Sequence, residues 1–186
     1  MTSHGKQTSI SDPKVATTKL STMELLLKSS VKEHFLPDDS KAIYAPDPQS
    51  IVRGLTSKRF DAACIWEPYA TFLARKHGLS KLVSYNEIGE HICCALSAGN
   101  HLDDRLVRKV ASRFMDSITE FARNPDSYLL QYSALTGFDH NIMREVSEEY
   151  SYPSELDPKL ISKQFERAGI LTPMPSTVRD MIRRAY

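Results

Sequence analysis

The sequence is poor in cysteine and glycine and has almost no net charge. Its 186 residues include three cysteines and seven glycines, and 24 Lys and Arg nearly balance 23 Asp and Glu. An odd number of cysteines argues against a disulfide framework, so we expect reduced, buried thiols. The near-zero net charge, with basic residues dispersed along the chain, gives no support to a nucleic-acid partner or a membrane-surface role.

Long apolar runs are also missing. No stretch of about 18 apolar residues occurs, so the sequence predicts no membrane span. Residues 1–13 lack the apolar core of a secretory signal, so the chain as written is expected to be cytoplasmic; removal of a preceding segment would make it extracytoplasmic instead. No nucleophile elbow, phosphate loop or zinc-protease helix is found. We therefore expect no catalytic residues, no metal and no other cofactor.

Short apolar strands alternate with helical periods over residues 13–88, and this alternation predicts a parallel sheet. Residues 1–12 are polar and are expected to be a flexible N-terminus. The predicted strands are Val15–Thr18, Ala42–Tyr44, Phe60–Trp66 and Leu82–Tyr85, and the predicted helices are Met23–Val31, Pro48–Leu55 and a segment from Glu67 to Gly78.

Beyond a strand at Ile92–Leu96, the sequence is helical. The segment Asp103–Arg123 carries an apolar stripe that suits a long helix lying across a sheet; its members are Leu106, Val107, Val110, Phe114, Ile118 and Phe121. Further helices are predicted at Tyr128–Thr136, His140–Tyr150, Pro158–Ala168 and Ser176–Ala185. The sequence thus predicts an α/β lobe over residues 13–88 and a helix-rich lobe over residues 89–186.

One segment resembles a known family. Residues 61–69 read Asp-Ala-Ala-Cys-Ile-Trp-Glu-Pro-Tyr, which is similar to a signature of the alkanesulfonate, nitrate and thiamine-precursor binding proteins of ABC importers. The resemblance continues in order through Asp12–Ala16, Tyr44–Pro46 and Leu135–Asp139, and covers roughly residues 12–170. The strand-helix-strand unit that opens the first lobe in that family has no counterpart here.

The resemblance implies a type II periplasmic-binding-protein-like fold, in which a small parallel-sheet α/β lobe is followed by a helix-rich, incomplete second lobe. It further implies that the chain is no enzyme, that it binds a small anionic or heteroaromatic molecule, and that its partner is the membrane component of an ABC transporter. Closure around the ligand would occur at a hinge, expected here in residues 84–90.

In such a lobe, ligands bind where parallel strands end and helix N-termini begin. The first of these crossings offers the hydroxyl groups of Thr17, Thr18, Ser21 and Thr22 to a sulfonate, phosphate or carboxylate. The same residues fit a structural interpretation, because Ser21 and Glu24 form the pattern of a capping box, in which the glutamate would repel an anion.

Two further crossings carry aromatic and acidic side chains. Tyr44 and Asp47 could receive a cationic or heteroaromatic ligand, although Asp47 is equally well explained as an N-cap. Trp66 could stack on a flat ligand while Glu67 accepts its N–H groups. The alternative is that Trp66 packs in the hinge and Glu67 complements a helix dipole.

Two other functions stay open. One is an interaction protein that has lost its ligand and forms a homodimer through the exposed edge of the incomplete first-lobe sheet. The other, which we favour least, is a metal-dependent enzyme of the thiamine-pyrimidine synthase type that uses His91, Cys93 and Cys94. Strand alternation places Cys94 on the opposite face from the other two, which argues against a shared metal.

Overall fold

The computed structural model divides the chain into two compact units, Met1–Glu90 and His91–Tyr186. It describes residues 2–3, 12–84, 87, 99, 101–150 and 157–167. Several predictions fall outside the described residues: the lobe boundary near residue 88, most of the hinge at 84–90, the strand Ile92–Leu96 with its neighbour His91, and the helix Ser176–Ala185.

The first unit is a mixed sheet with helices. Its described elements are β1 (Thr2–Ser3), β2 (Lys14–Thr17), α1 (Thr22–Lys32), β3 (Lys41–Tyr44), α2 (Pro48–Thr56), β4 (Ala62–Ala63), α3 (Tyr69–His77) and β5 (Ser80–Lys81). The strand order is β3-β2-β4-β1-β5. Strand β2 is parallel to both β3 and β4, whereas β1 is antiparallel to β4 and β5. The predicted α/β class with a small parallel sheet is confirmed.

The helix boundaries follow from local residue chemistry. Ser21 and Asp47 are the N-caps of α1 and α2, and Pro48 occupies the first turn of α2, where its missing N–H costs nothing. Helix α3 ends at Gly78, whose φ of 66° lies in the left-handed region that glycine adopts without strain. The three predicted helices of this unit are confirmed, with small shifts at their ends.

The strands differ more from their predictions. The segment Phe60–Trp66 contributes only β4 to the sheet. Its first residue, Phe60, donates its N–H to the carbonyl of Gly54 and packs against that residue instead of joining the strand. A Cβ at Gly54 would lie 2.1 Å from the Phe60 ring, so glycine is what allows this contact. Phe60 is therefore a core residue that lies outside the strand, and the local hydrophobic pattern does not distinguish a core residue in a loop from one in a strand.

The N-terminus also differs from its prediction. Thr2 and Ser3 form β1 between β4 and β5, although the flexible N-terminus was expected to extend to residue 12. Strand β5, Ser80–Lys81, likewise precedes the predicted strand Leu82–Tyr85. Strands β1 and β5 are each only two residues long and form through pairing with neighbouring strands. No local hydrophobic period therefore predicts them.

The central strands of the unit 1 sheet, β2 and β4, are buried on both faces. Val15 and Cys64 face α1, where Met23, Leu26 and Leu27 complete one apolar cluster. On the opposite face a second cluster joins the sheet to α2 and α3; its fully buried members are Ala16, Ile51, Leu55, Ala63 and Leu73. Alternation along β2 thus sends successive side chains into two separate cores.

The second unit is helical in its described part. Its elements are α4 (Asp104–Arg123), α5 (Pro125–Thr136), α6 (His140–Ser147) and α7 (Pro158–Arg167). Buried apolar side chains come from α5 and α6, which pack together through Leu129, Ile142, Met143 and Val146. Within the described ranges, no helix is both long enough and apolar enough to cross a bilayer.

One expectation about α4 is wrong. Its apolar stripe was expected to be buried across a sheet, yet none of its residues is buried. Leu106, Val110 and Phe114 are each nearly half exposed. The amphipathic period correctly predicts the helix, but it cannot say whether a partner covers the apolar face.

The core of unit 1 can be tested with a matched pair of substitutions. Leu73→Ala is expected to lower the free energy of unfolding by about 3 kcal/mol, because a fully buried leucine leaves a cavity. Leu20→Ala is the control; Leu20 is 91% exposed, and a change below about 0.5 kcal/mol is expected. Urea unfolding followed by the fluorescence of Trp66, the single tryptophan, measures both. Equal losses would contradict the described core.

Candidate functional site

The strand order of unit 1 reverses its direction at the carboxyl edge of the parallel strands. From β2 the chain passes through α1 to β3, which lies on one side of β2. From β3 it passes through α2 to β4, which lies on the other side of β2. Because α1 lies on one face of the sheet and α2 and α3 on the other, helices leave neighbouring strands in opposite directions. In open α/β sheets, ligands bind outside the carboxyl ends of the strands at such a reversal.

Backbone hydrogen bonds hold the three strand ends side by side. The N–H of Ala45 donates to the carbonyl of Thr17 at 2.9 Å, and the N–H of Cys64 donates to the carbonyl of Ala16 at the same distance. Residues 17–18, 44–45 and 64–66 therefore share one edge. All three crossings proposed from the sequence begin there.

The first crossing is a tight hydroxyl cluster. The hydroxyl of Thr18 donates to Ser21 Oγ at 2.7 Å, and Ser21 Oγ donates to the carbonyl of Thr18 at 2.7 Å. Ser21 Oγ also accepts from the N–H of Glu24 at 3.3 Å, which is the N-cap bond of α1. Thr22 opens the helix and is half-buried. The predicted capping role of Ser21 is thus confirmed, and its hydroxyl is largely occupied.

The carboxylate of Glu24 connects the first crossing to the second. It accepts from the N–H of Leu20 at 2.6 Å and from the hydroxyl of Tyr44 at 3.0 Å, and it forms an ion pair with Lys28 at 3.2 Å. Glu24 is buried although it is charged. Its carboxylate therefore joins the loop after β2 to the end of β3.

Two pKa values shift because of this network. The N–H of Leu20, and to a smaller extent Lys28 and Tyr44, lower the pKa of Glu24, although desolvation opposes them. The hydrogen bond to Glu24 raises the pKa of Tyr44, and burial adds to the effect. At neutral pH the carboxylate is thus ionised and the phenol is protonated, which is the pairing that the hydrogen bond requires.

A lysine side chain lies beside this network. Lys19 Nζ lies 5.8 Å from the centroid of the Tyr44 ring, within the range of a cation–π contact. Lys19 is exposed and Tyr44 is 47% exposed. Sequence reasoning did not single out Lys19, because one lysine in a polar loop carries no pattern.

Thr17 differs from the other hydroxyl residues of this edge. It is fully buried, and its Oγ1 has no hydrogen-bond partner among the described residues. Ser30 and Thr71 share that property, but both lie in helices, where a side-chain rotation brings the hydroxyl to the carbonyl four residues earlier. Thr17 ends a strand and has no such local acceptor. A buried hydroxyl without a partner costs about 1–3 kcal/mol, which makes Thr17 the strongest candidate at this edge for a hydrogen bond to a ligand.

Asp47 at the second crossing acts as a cap. Its carboxylate accepts from the N–H of Ser50 at 2.6 Å, and this bond lowers the pKa of Asp47. The structure therefore supplies the capping explanation for Asp47. Its use as a ligand contact stays a prediction.

The third crossing holds Trp66 and Glu67. Trp66 is partly buried against the α1-side core. The carboxylate of Glu67 accepts from the N–H of Thr71 at 2.9 Å and forms an ion pair with Lys81 at 2.7 Å. Glu67 is thus neutralised within the protein, and Trp66 is partly exposed.

The cysteine at this edge is chemically inert. Burial raises the pKa of the Cys64 thiol to about 12, so the thiol stays protonated and is a poor nucleophile and metal ligand. Cys64 is free and buried, as expected. In the part of the chain that the structure describes, no group of three metal-binding side chains occurs; His91, Cys93 and Cys94 lie outside that part.

A hollow exists elsewhere in unit 1, but it is a weak candidate. Its volume is about 360 Å³ and it is lined by the consecutive residues His34–Asp38. These residues connect α1 to β3, so the hollow lies at the amino edge of the strands. It is wide open and brings no separate elements together, and we therefore place the site at the carboxyl edge.

Comparisons with known proteins agree with this fold. The periplasmic aliphatic sulphonate binding protein SsuA from Escherichia coli has a similar crystal structure, with a TM-score of 0.71 at 15% sequence identity. The chain has the fold of a periplasmic solute-binding protein. The likeness covers 97% of this chain and 64% of that chain. No family model and no curated protein matches the sequence.

Only some of the predicted site residues belong to one hydrogen-bonded network in the structure. Thr18, Ser21 and Tyr44 belong to one hydrogen-bonded network through Glu24. The other predicted residues share the same edge without a described hydrogen bond to that network; they are Thr17, Thr22, Asp47, Trp66 and Glu67. Whether any of these side chains contacts a ligand stays a prediction.

The Glu24 network predicts a specific acid sensitivity. Because the pKa of Glu24 is lower in the folded than in the unfolded protein, its contribution is fully present above the ordinary value of 4.5 and is lost as the pH falls through the folded pKa. Wild type should therefore lose more stability below pH 4.5 than Glu24→Gln does. Urea unfolding at neutral and acidic pH, followed by Trp66 fluorescence, measures the difference.

The control for this experiment is Glu33→Gln, since Glu33 is exposed at the other end of α1. This variant should keep the full acid sensitivity of the wild type. An unchanged pH dependence in Glu24→Gln would show that the network contributes nothing to stability.

Proposed function

We propose that this chain is a solute-binding module that holds a small organic ligand, anionic or heteroaromatic, at the carboxyl edge of β3, β2 and β4. The observation that carries the proposal is the buried, unpartnered hydroxyl of Thr17 at the point where the strand order reverses. A ligand oxygen or nitrogen at this edge would satisfy that hydroxyl, for which the described residues provide no hydrogen-bond partner.

The charges at this edge favour an anion over a cation. The carboxylates of Glu24 and Glu67 are already compensated, the first by Lys28 and hydrogen-bond donors and the second by Lys81 and the N–H of Thr71. Lys19 supplies a cation at the rim, beside the exposed face of Tyr44. An anion attached to a flat or apolar body would use both groups. The structural neighbour, an aliphatic sulphonate binding protein, points in the same direction.

The role we infer is capture without bond making. Catalysis would need an activated nucleophile or a general base aimed at the ligand. At this edge the thiol of Cys64 is protonated and buried, and the carboxylates are held in ion pairs and helix caps. The described chemistry therefore suits recognition by hydrogen bonds and charge.

Transport is the wider setting that the neighbour suggests. Because the chain spans 64% of the length of SsuA, a membrane transporter as the partner and a location outside the cytoplasm are parts of this proposal. The competing interaction-protein and metal-enzyme hypotheses depend on the first-lobe sheet edge and on residues 91–94, which lie outside the described residues. No described contact favours either.

Ligand screening by thermal shift tests the proposal. A panel of alkanesulfonates, dicarboxylates and pyrimidines is expected to contain at least one compound that raises the melting temperature in a saturable way. A ligand at 100 times its Kd adds about 2.7 kcal/mol of stability, which is well within detection. A panel without any stabilising compound would count against a ligand of these classes.

The position of the ligand is tested with two variants at buried hydroxyl groups. Thr17→Val is expected to weaken the stabilising compound by about tenfold in Kd, because a hydrogen bond to a charged group is lost. Ser30→Ala is the control; Ser30 is also fully buried, and its hydroxyl has no partner among the described residues, but it lies in the last turn of α1, away from the carboxyl ends of the strands. Isothermal titration calorimetry gives both Kd values. Equal weakening, or none in Thr17→Val, would place the ligand elsewhere.

A further inference from the structure

Leu20 has an unfavourable backbone conformation and a side chain that lies in solvent. Its φ of 55° is in the left-handed region, which is unfavourable for a bulky residue because its Cβ crowds the backbone. Its side chain is 91% exposed, so the burial of apolar surface does not offset that strain. The stability of the free protein therefore does not explain a leucine at this position.

Three other non-glycine residues of the described chain have a positive φ, and each has a local explanation. His34 and Lys58 directly follow the C-caps of α1 and α2, where helices commonly end with a left-handed residue. Asp12 belongs to a residue type that enters this region readily. Leu20 has neither explanation, since it precedes a helix and is apolar.

The usual structural role of an apolar residue before a helix is not fulfilled either. Leu20 directly precedes Ser21, the N-cap of α1. An apolar residue at that position often packs against the fourth residue of the helix, which here is Leu25. A side chain that is almost fully exposed does not make such a contact. Leu20 therefore has no part in the core of unit 1.

The residues around Leu20 hold it at the proposed site. Its N–H donates to the carboxylate of Glu24 at 2.6 Å, and the same carboxylate accepts from the hydroxyl of Tyr44. Its chain neighbours are Lys19, whose Nζ lies beside the Tyr44 ring, and Ser21, which belongs to the hydroxyl cluster. Strained residues that their surroundings hold in place in this way cluster at ligand-binding sites.

An independent observation points to a ligand at the same place. Thr17, at the end of β2, is fully buried, and its hydroxyl has no hydrogen-bond partner among the described residues. One short segment thus offers an unsatisfied hydroxyl at Thr17, a positive charge at Lys19 and an exposed apolar side chain at Leu20. These three groups match an anion that carries an apolar body.

We propose that Leu20 is a specificity-determining residue that covers the apolar body of the bound anion. The inference rests on the proposed function, and it narrows the ligand to an organic anion with an apolar body, as opposed to a small hydrophilic anion. Contact with that body removes the leucine side chain from water, which favours binding. Lys19 attracts the charged head group of the same ligand.

Calorimetric titration of the full chain with two sulfonates tests the inference. The probes are methanesulfonate and hexanesulfonate, which share a head group and differ in their apolar body. Wild type is expected to bind hexanesulfonate more tightly. Leu20→Ala should weaken hexanesulfonate about fivefold, because part of one leucine contact is lost, and should leave the Kd of methanesulfonate unchanged.

Two further variants separate ligand contact from an effect on the loop. Lys19→Gln removes a charge that both head groups use, so it should weaken both sulfonates by the same factor. Phe35→Ala removes an apolar side chain that is 45% exposed at the amino edge of the strands, and it should change neither Kd. If Leu20→Ala weakens both sulfonates equally, Leu20 acts through the shape of the loop. That result overturns the inference, as does unchanged binding of hexanesulfonate.

A stability measurement on Leu20→Gly gives a readout that does not depend on binding. Glycine adopts the left-handed conformation without strain, which offsets its greater freedom in the unfolded chain. The melting temperature of Leu20→Gly is therefore expected to be no lower than that of wild type, although hexanesulfonate binds more weakly. A lower melting temperature would show that the leucine stabilises the free protein, and would overturn the inference.

The wild-type titrations distinguish this inference from the proposed function. Binding of both sulfonates with the same Kd overturns the role of Leu20 and leaves the proposed function standing. Binding of neither sulfonate also overturns the role of Leu20, and the wider ligand panel then decides the proposed function by itself.

Discussion

The parallel pairing of β2 with both β3 and β4 is the constraint on which the rest of unit 1 depends. Because β2 pairs with both neighbours over its buried residues, Val15 and Ala16 face separate cores, and the helices must lie on opposite faces. The same pairing aligns Thr17 with Tyr44. The site is therefore a consequence of strand order, and its residues come together although they are distant in sequence.

The charged groups at this edge are held in an internal network that fixes the loop after β2. Glu24 is held by Leu20, Tyr44 and Lys28, so the loop after β2 is fixed against the end of β3. A buried carboxylate is tolerated only when it is paired and hydrogen-bonded. Since the charge of Glu24 is satisfied internally, the anion that we propose near Lys19 would not face an uncompensated carboxylate there.

Sequence reasoning predicted the helices and the crossings better than the strands and the contacts. The N-caps Ser21 and Asp47 and the helix end at Gly78 depend on local sequence, and the structure has them where they were predicted. By contrast, β1 arises from neighbours far along the chain, and the bond from Tyr44 to Glu24 joins residues 20 positions apart. The solvent exposure of Leu106, Val110 and Phe114 on α4 was also missed, because an amphipathic period does not show whether a partner covers the apolar face.

Residue-resolved hydrogen exchange of the full chain, with and without a ligand that stabilises it, tests the central claim most directly. The account predicts that ligand slows exchange at the backbone amides of residues 17–24, 44–47 and 64–67, the three crossings at the carboxyl edge, beyond any general slowing of unit 1. Slowing centred on His34–Asp38 at the opposite edge, or confined to the second unit, would contradict it.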